Sequence, residues 1–115
     1  QPDVRDVKLE MAHEDPTMLR FDITGYYRNI PFIMEGKAGT GQRVLAQAAG
    51  QVNHYSKKWE AMKQAPWGMR FVLAPKDDDD VDLAETFADN NARLCTPDNA
   101  YKVMKMVYEK HEEVA

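Results

Sequence analysis

The stretch DITGYYRNIPFIMEGKAGTGQRVLAQ, residues 22–47, decides the fold of this chain. It joins two segments rich in β-forming residues through Arg28-Asn29, and a glycine-rich turn then leads into a segment with helical periodicity. Side chains alternate between the two faces of a strand, so Glu35 and Lys37, two residues apart, share one face. If the two segments pair as a hairpin, Asp22, Glu35 and Lys37 converge at one end of a small sheet.

The hydropathy pattern predicts eight elements along the chain. Alternating apolar and polar residues indicate half-buried strands, an apolar residue every three or four positions indicates a helix, and a short apolar run indicates a buried strand. The predicted strands are Val4–Ala12, Met18–Tyr27, Ile30–Ala38, Met69–Ala74 and Asn91–Cys95, and the predicted helices are Arg43–Gln64, Val81–Asn90 with Asp80 as N-cap, and a last one from Pro97 with Thr96 as N-cap. This order predicts an α/β fold, in which an antiparallel meander and later βα units form one mixed sheet flanked by helices.

The length of 115 residues predicts a single domain over residues 1–115. Hydrophobic residues make up 43% and charged residues 30%, which is typical of a globular protein. No apolar run reaches the roughly 20 residues that a membrane helix requires, and the polar N-terminal segment contains no apolar signal core. The first residue is Gln1 and not Met, so we expect an upstream segment in a longer product.

The single cysteine, Cys95, excludes an internal disulfide and indicates a buried structural thiol. An intracellular, cytoplasmic location is the default expectation for such a chain. The net charge is −4, yet residues 41–75 contain five basic residues and one acidic residue, whereas residues 76–115 contain five basic and eleven acidic residues. The basic middle of the chain predicts a local surface that binds phosphate groups.

Two carboxylates and an ammonium group at one end of a sheet suit the metal-dependent hydrolysis of a phosphodiester. This reaction needs charge neutralisation on the phosphate and an activated water, and a divalent metal held by oxygen ligands supplies both. Asp22 and Glu35 are the candidate ligands, with the Gly36 carbonyl as a third. Lys37 would orient or help to deprotonate the attacking water and stabilise the developing charge.

The same residues carry a resemblance to a known superfamily. An Asp, a strand–turn–strand, a Glu-x-Lys and a following helix resemble the PD-(D/E)xK nucleases, and residues 21–47 are similar to the phage and bacterial VRR-type (viral replication and repair) nuclease domains. The resemblance implies a restriction-endonuclease-like core and catalytic roles for Asp22, Glu35, Lys37 and Gln47. It also implies a Mg²⁺-dependent endonuclease, with Mn²⁺ as a substitute, that hydrolyses DNA, including branched or junction DNA, as a homodimer.

The chain departs from the family pattern at three points. Phe21 stands where the family usually has Pro before its Asp, and Gly36 replaces the usual apolar residue between Glu and Lys. The family's preceding helix, with its additional acidic residue, is not evident, and Glu10 on the first strand is a candidate substitute. The alternative function is therefore a non-catalytic nucleic-acid-binding or assembly domain that keeps the nuclease fold.

Five further residues are candidates for contacts with nucleic acid: Tyr27 and Arg28 at the hairpin tip, and Arg43, His54 and Lys58 on the long helix. The residues at the hairpin tip would stack on bases, grip the backbone or pack against a partner subunit. Those on the helix otherwise form an ordinary solvated face. Asp22, Glu35 and Lys37 have an alternative interpretation as well. They could form an exposed polar face with a cross-strand ion pair that contributes little to stability.

Overall fold

The computed structural model describes residues 3–15, 18–37, 41–63, 68–76 and 80–114. Its strands are β1 (Val4–Asp15), β2 (Met18–Tyr27), β3 (Ile30–Lys37), β4 (Met69–Leu73) and β5 (Ala92–Cys95), and its helices are α1 (Gln42–Lys63), α2 (Val81–Asp89) and α3 (Ala100–Val114). The strands form one sheet in the order β1-β2-β3-β4-β5. The first three strands are antiparallel, β4 is parallel to β3, and β5 is parallel to β4. This mixed sheet confirms the predicted α/β fold class and is compatible with a restriction-endonuclease-like core.

The alternation of side chains along the strands divides the core into two clusters, one on each face of the sheet. The cluster on the face covered by α1 and α2 contains Ile33, Leu45, Ala48, Ala49, Val52, Val72, Ala74, Leu83, Phe87 and Ala92. The cluster on the face covered by α3 contains Tyr27, Phe32, Met34, Met69, Phe71, Cys95, Met104 and Tyr108. The predicted burial of the Cys95 thiol is confirmed. We call the two sides of the sheet the α1 face and the α3 face.

One flank of α1 is fixed by its contact with α2. The Asn53 side-chain amide donates a hydrogen bond of 3.1 Å to the Asn90 side-chain oxygen, just after α2 ends. Helix α2 packs beside α1 and on β5, whereas α1 lies mainly over β3 and β4. Gln51 is about 160° from Asn53 around the helix axis, at ~100° per residue. The flank of α1 that carries Gln51 therefore faces away from α2, toward the β2 side of the sheet.

The predicted boundaries hold to within a few residues, with three local differences. The first is that β1 continues to Asp15, past its predicted end at Ala12 and into the predicted turn at residues 13–16. The Leu83 amide donates to the Asp80 carboxylate over 3.0 Å, which confirms Asp80 as the N-cap of α2. Asn91 adopts a left-handed conformation with φ of 52°, so β5 begins one residue later than predicted. The predicted start of α3 is wrong, because residues 97–99 form a turn and the Val103 amide bonds to the Asn99 carbonyl.

Gly25, near the end of β2, lies where the backbone approaches an aromatic ring. It stands opposite Phe32 of β3, and a Cβ atom there would lie 3.0 Å from two atoms of the Phe32 ring and 3.2 Å from the Arg5 carbonyl oxygen. The absence of a side chain at Gly25 thus lets β1, β2 and Phe32 pack closely.

None of the helices in the described ranges has the length and apolar character needed to cross a bilayer.

Candidate active site

Asp22 and Glu35 stand directly opposite each other in the antiparallel pair of β2 and β3. Directly opposite residues of such a pair project to the same face, with Cβ atoms roughly 4.5–5.5 Å apart. The predicted hairpin therefore forms, and its register brings the two carboxylate-bearing residues together. Because Ile33 belongs to the cluster under α1, Glu35, two residues further along β3, faces α1 as well.

The two carboxylates differ in burial. The Glu35 side chain is 0% exposed, Asp22 is half-buried, and one oxygen of Asp22 and both oxygens of Glu35 are shielded from solvent. Both residues interact with other groups of the chain. Burial of a carboxylate is costly unless charged or polar partners compensate for the lost hydration, so such groups are rare in purely structural positions. A buried acid beside a half-buried one is an arrangement often found in functional sites.

The register across three strands adds a third acidic position. Glu10 of β1 is the partner of Asp22, which in turn is the partner of Glu35. We call Glu10, Asp22 and Glu35 the acidic row. Acidic residues in a row across neighbouring strands repel one another, so such a row is unfavourable unless a cation compensates the charge. The role of Glu10 as the additional acidic residue of the site remains a prediction.

Arg70 of β4 belongs to the basic middle of the chain and was not among the predicted site residues. It is the partner of Ile33 in the parallel pair of β3 and β4, and so lies on the α1 face one step from Glu35. Its Nε atom is shielded from solvent, and the residue interacts with other groups of the chain. The signal in the sequence was a charged residue inside the apolar run of residues 69–74. The partly buried guanidinium of Arg70 supplies positive charge near the acidic row.

Gly36 and Lys37 follow Glu35 on β3. Gly36 is buried and in register with Phe21 of β2 and Leu73 of β4. The backbone of Lys37 is paired with Arg20 at the end of β3, while its side chain lies outside the described part of the structure. The carbonyl of Gly36 as a metal ligand and the catalytic role of Lys37 remain predictions.

A groove lies on the surface of α1 that faces away from the sheet. Its volume is about 510 Å³, and its lining among the described residues is Gln47, Gly50, Gln51 and His54. Gln47 and His54 are exposed, whereas the side-chain oxygen of Gln51 is buried and has no hydrogen-bond partner within the described residues. Gln47 is two residues from the buried Leu45, about 160° away around the helix axis, so the structure places it in this groove on the exposed side of α1. Its catalytic role remains a prediction.

The predicted nucleic-acid contacts fall into three groups. Arg43 is exposed in the first turn of α1, and His54 is exposed in the groove. Both positions suit contacts with phosphate groups, which remain predictions. The Lys58 side chain lies outside the described residues. Tyr27 and Arg28, by contrast, lie at the hairpin tip, about 17 Å from Asp22 along β2 at ~3.3 Å per residue.

The contact predicted for Tyr27 is wrong, because its ring is buried. Tyr27 is 1% exposed, and its ring centroid lies 5.2 Å from that of Tyr108 and 5.9 Å from that of Tyr101. These tilted aromatic contacts attach the hairpin tip to α3. A ring with no free surface cannot stack on a base, so Tyr27 is a core residue.

Arg28 belongs to a network that joins both ends of the chain to the hairpin tip. It adopts a left-handed conformation with φ of 55°, its amide donates to the Asp3 carbonyl over 2.6 Å, and its Nε lies 3.2 Å from the Asp3 carboxylate. Its guanidinium also lies 5.1 Å from the centre of the Tyr108 ring. The Tyr101 hydroxyl completes the network with a hydrogen bond of 2.9 Å to Asp3. These contacts make Arg28 a structural anchor, and its contact with nucleic acid remains a prediction.

The Asp3–Tyr101 hydrogen bond gives a pH-dependent prediction. The hydrogen bond with Asp3, helped by burial, raises the pKa of Tyr101 to about 12. Because this pKa is above the unfolded value of about 10, the contact stabilises the fold fully below pH ~10, and its contribution is lost as the pH rises toward 12. We expect one tyrosine to ionise late in an ultraviolet absorbance titration, and Tyr101→Phe to remove that late step. Retention of the late step in Tyr101→Phe would contradict the assignment.

Comparisons of the chain with family models, curated proteins and solved structures found no match. Within the described side chains, no group of three or more His, Cys, Asp or Glu residues has the geometry to hold a metal ion. Asp22 and Glu35 are two candidate ligands, and the side chain of Glu10 lies outside the described set. The site is therefore defined by the register of the sheet and by the burial of Glu35.

Proposed function

We propose that this chain is a metal-dependent deoxyribonuclease domain of the PD-(D/E)xK type. The observation that carries the proposal is the register that sets Asp22 opposite Glu35, with Glu10 next in the same row. Carboxylates on neighbouring strands of a rigid sheet are held more firmly than carboxylates on loops, and a metal site needs such fixed geometry. The mixed sheet, with α1 directly after the hairpin, supports the same proposal.

The donor set fits Mg²⁺, with Mn²⁺ as a substitute. Carboxylate oxygens from Asp22 and Glu35, with the Gly36 carbonyl, are the hard ligands that Mg²⁺ prefers. A bound divalent ion neutralises charge on the phosphate and lowers the pKa of a coordinated water. Lys37 holds the attacking water and offsets the negative charge that develops during the reaction. Gln47, on the exposed side of α1, would orient the water or the phosphate.

The DNA would approach along the exposed flank of α1. Arg43 and His54 are exposed there, and Lys58 belongs to the same helix. Contacts from such residues to phosphate groups position the nucleic acid without reading its sequence. This favours recognition of DNA shape, such as branched or junction DNA, over recognition of a base sequence. A homodimer would present two such sites to two strands.

The second candidate is a nucleic-acid-binding or assembly domain without catalysis. The full burial of Glu35 favours it, because a metal ion with water ligands needs access to the carboxylate. The net charge of −4 also favours a restricted contact with DNA over an extensive one. The two candidates share the surface along α1 and differ in whether the acidic row binds metal.

A cleavage assay separates these candidates. We expect the purified chain to cut supercoiled plasmid or four-way-junction DNA with Mg²⁺ or Mn²⁺, and Lys37→Ala to abolish cutting while DNA binding persists. Lys102→Ala, which removes an exposed lysine of α3, is the matched control and should cut normally. Binding without cutting across several metals and substrates would support the second candidate. Normal cutting by Lys37→Ala would refute the assignment of the site.

A further inference from the structure

The two edges of the sheet differ in a way that points to a partner. The edge strand β5 has 4 residues, whereas the other edge strand, β1, has 12 and is paired only with β2 among the described strands. A long edge strand offers unpaired backbone amides and carbonyls to another strand, and proteins usually protect such edges. The apolar residues Val7 and Leu9 of β1 are 55% and 59% exposed. β1 thus combines an open backbone edge with exposed apolar side chains.

The first part of β1 is protected against edge pairing, while the middle is not. The register with β2 shifts between Arg5 and Lys8, Asp6 has a φ of 56°, and Arg5 and Asp6 form an ion pair of 2.6 Å. Such bulges and charges discourage the docking of another strand. From Lys8 to His13 the pairing with β2 is regular. This regular segment is the part of the edge that can accept a new strand.

The sequence of this segment is complementary to itself. Lys8, Leu9 and Glu10, the first three residues of this segment, place one basic and one acidic residue symmetrically about Leu9, and Val7 lies in the irregular part just before them. In an antiparallel pair of two copies centred on Leu9, Lys8 stands opposite the partner subunit's Glu10, and Glu10 opposite the partner subunit's Lys8. Opposite charges in directly opposed positions stabilise a sheet, and like charges destabilise it. The pairing therefore forms two favourable charge pairs by symmetry.

The two neighbouring registers lack this complementarity. Opposite residues of an antiparallel pair lie on the same face, so the two-fold axis must pass through a residue position. An axis at Lys8 or at Glu10 sets that residue opposite its own copy, with like charges in contact. An axis at Leu9 instead sets two exposed leucines together on the α3 face. Among these three centres, the Leu9 axis is the one that charge and hydropathy favour together.

We propose that two copies of this chain associate through β1. The two β1 strands form an antiparallel pair centred on Leu9, which joins the two sheets into a single sheet of ten strands. The inference does not depend on nuclease activity, since it rests on the edge strand alone. It also bears on the acidic row, because the partner subunit's Lys8 would stand next to Glu10, at the outer end of that row. Each copy thus supplies a cation beside the acidic row of the other.

The oligomeric state, measured by sedimentation velocity over a concentration series, tests the proposal. We expect the chain to form a dimer that dissociates on dilution. Lys8→Glu or Glu10→Lys alone replaces two favourable charge pairs by two like-charge pairs, and should weaken association about 10-fold. The double variant Lys8→Glu/Glu10→Lys restores the pairs and should restore the dimer. Lys102→Glu, an exposed position of α3, is the control and should leave the dimer intact.

A cross-link checks the register independently. In a dimer centred on Leu9 the two copies of residue 9 have Cβ atoms about 4.5–5.5 Å apart, close enough for a strained or slightly adjusted disulfide. Under a mild oxidant we expect Leu9→Cys to form covalent dimers. Glu85→Cys, at an exposed position of α2, should form none. Because Leu9 is exposed, the variant should fold, which circular dichroism would verify. A monomer at every concentration would overturn the proposal, as would a dimer that neither charge variant weakens.

Discussion

Glu35→Gln is expected to reduce DNA cleavage by at least about 100-fold, with the fold intact. The loss of one group that stabilises charge in a transition state typically costs two to three orders of magnitude in kcat. The substitution keeps the shape of the buried side chain and removes its negative charge, so a metal ion loses a ligand. Cleavage of plasmid DNA in Mg²⁺, with the variant and the parent chain at equal concentration, measures the effect.

A second measurement keeps this prediction informative even if the parent chain cuts slowly. A ligand that binds only the folded state raises the thermal midpoint by mass action. We therefore expect Mg²⁺ or Mn²⁺ to raise the midpoint of the parent chain but not that of Glu35→Gln. Glu85→Gln, at an exposed position of α2, removes the same charge elsewhere and should behave like the parent. Equal cleavage by Glu35→Gln and Glu85→Gln would remove Glu35 from the site.

Tyr27→Ala is expected to destabilise the fold by about 3–5 kcal/mol, because it removes the aromatic ring that packs between the hairpin tip and α3. Tyr27 is 1% exposed and contacts the rings of Tyr101 and Tyr108. For a domain whose total stability is of the order of 5–15 kcal/mol, this is a large share. Urea denaturation, with the free energy of unfolding extrapolated to water, measures the change.

The neighbouring residue provides the control for Tyr27. Tyr26 is half-buried on the other side of β2, with the Arg5 guanidinium 4.4 Å from its ring centre. We expect Tyr26→Ala to cost roughly 1 kcal/mol. Tyr27→Phe keeps the ring and should leave any affinity for DNA unchanged. A Tyr27→Ala variant as stable as Tyr26→Ala would contradict the burial, and a loss of DNA affinity in Tyr27→Phe would restore its contact with nucleic acid.

Local patterns in the sequence were sufficient to predict the order and type of the elements. The alternation in residues 18–38 and the apolar stripe of α1 have periods that only a strand or a helix satisfies. The start of α3 was harder to predict, because Thr96-Pro97 is a common helix start. In the structure, the Asn99 side chain instead accepts a hydrogen bond of 2.7 Å from the Thr96 amide. That bond stabilises a turn, and the helix begins after it.

The prediction of the candidate site required more than the local pattern of the sequence. The pairing of Asp22 with Glu35 followed from the short hairpin turn, which fixes the register of adjacent strands. The position of Glu10 opposite Asp22 did not follow, because the irregularity between Arg5 and Lys8 shifts the register of β1. Tyr27 was misassigned for a similar reason, since the sequence did not indicate that α3 would pack against the hairpin tip. The position of Glu10 and the burial of Tyr27 are both determined by contacts between elements that are distant in the sequence.

The network at the hairpin tip also has a consequence for the order of folding. The Asp3–Tyr101 hydrogen bond joins residues 98 positions apart, and closing a flexible loop of that length costs about 4 kcal/mol of chain entropy. A single hydrogen bond returns far less than this, so it cannot form before the sheet has brought its partners together. The bond is therefore a late event in folding and an early one to break in unfolding. The signal of the Tyr101 hydroxyl would therefore report a late step of folding.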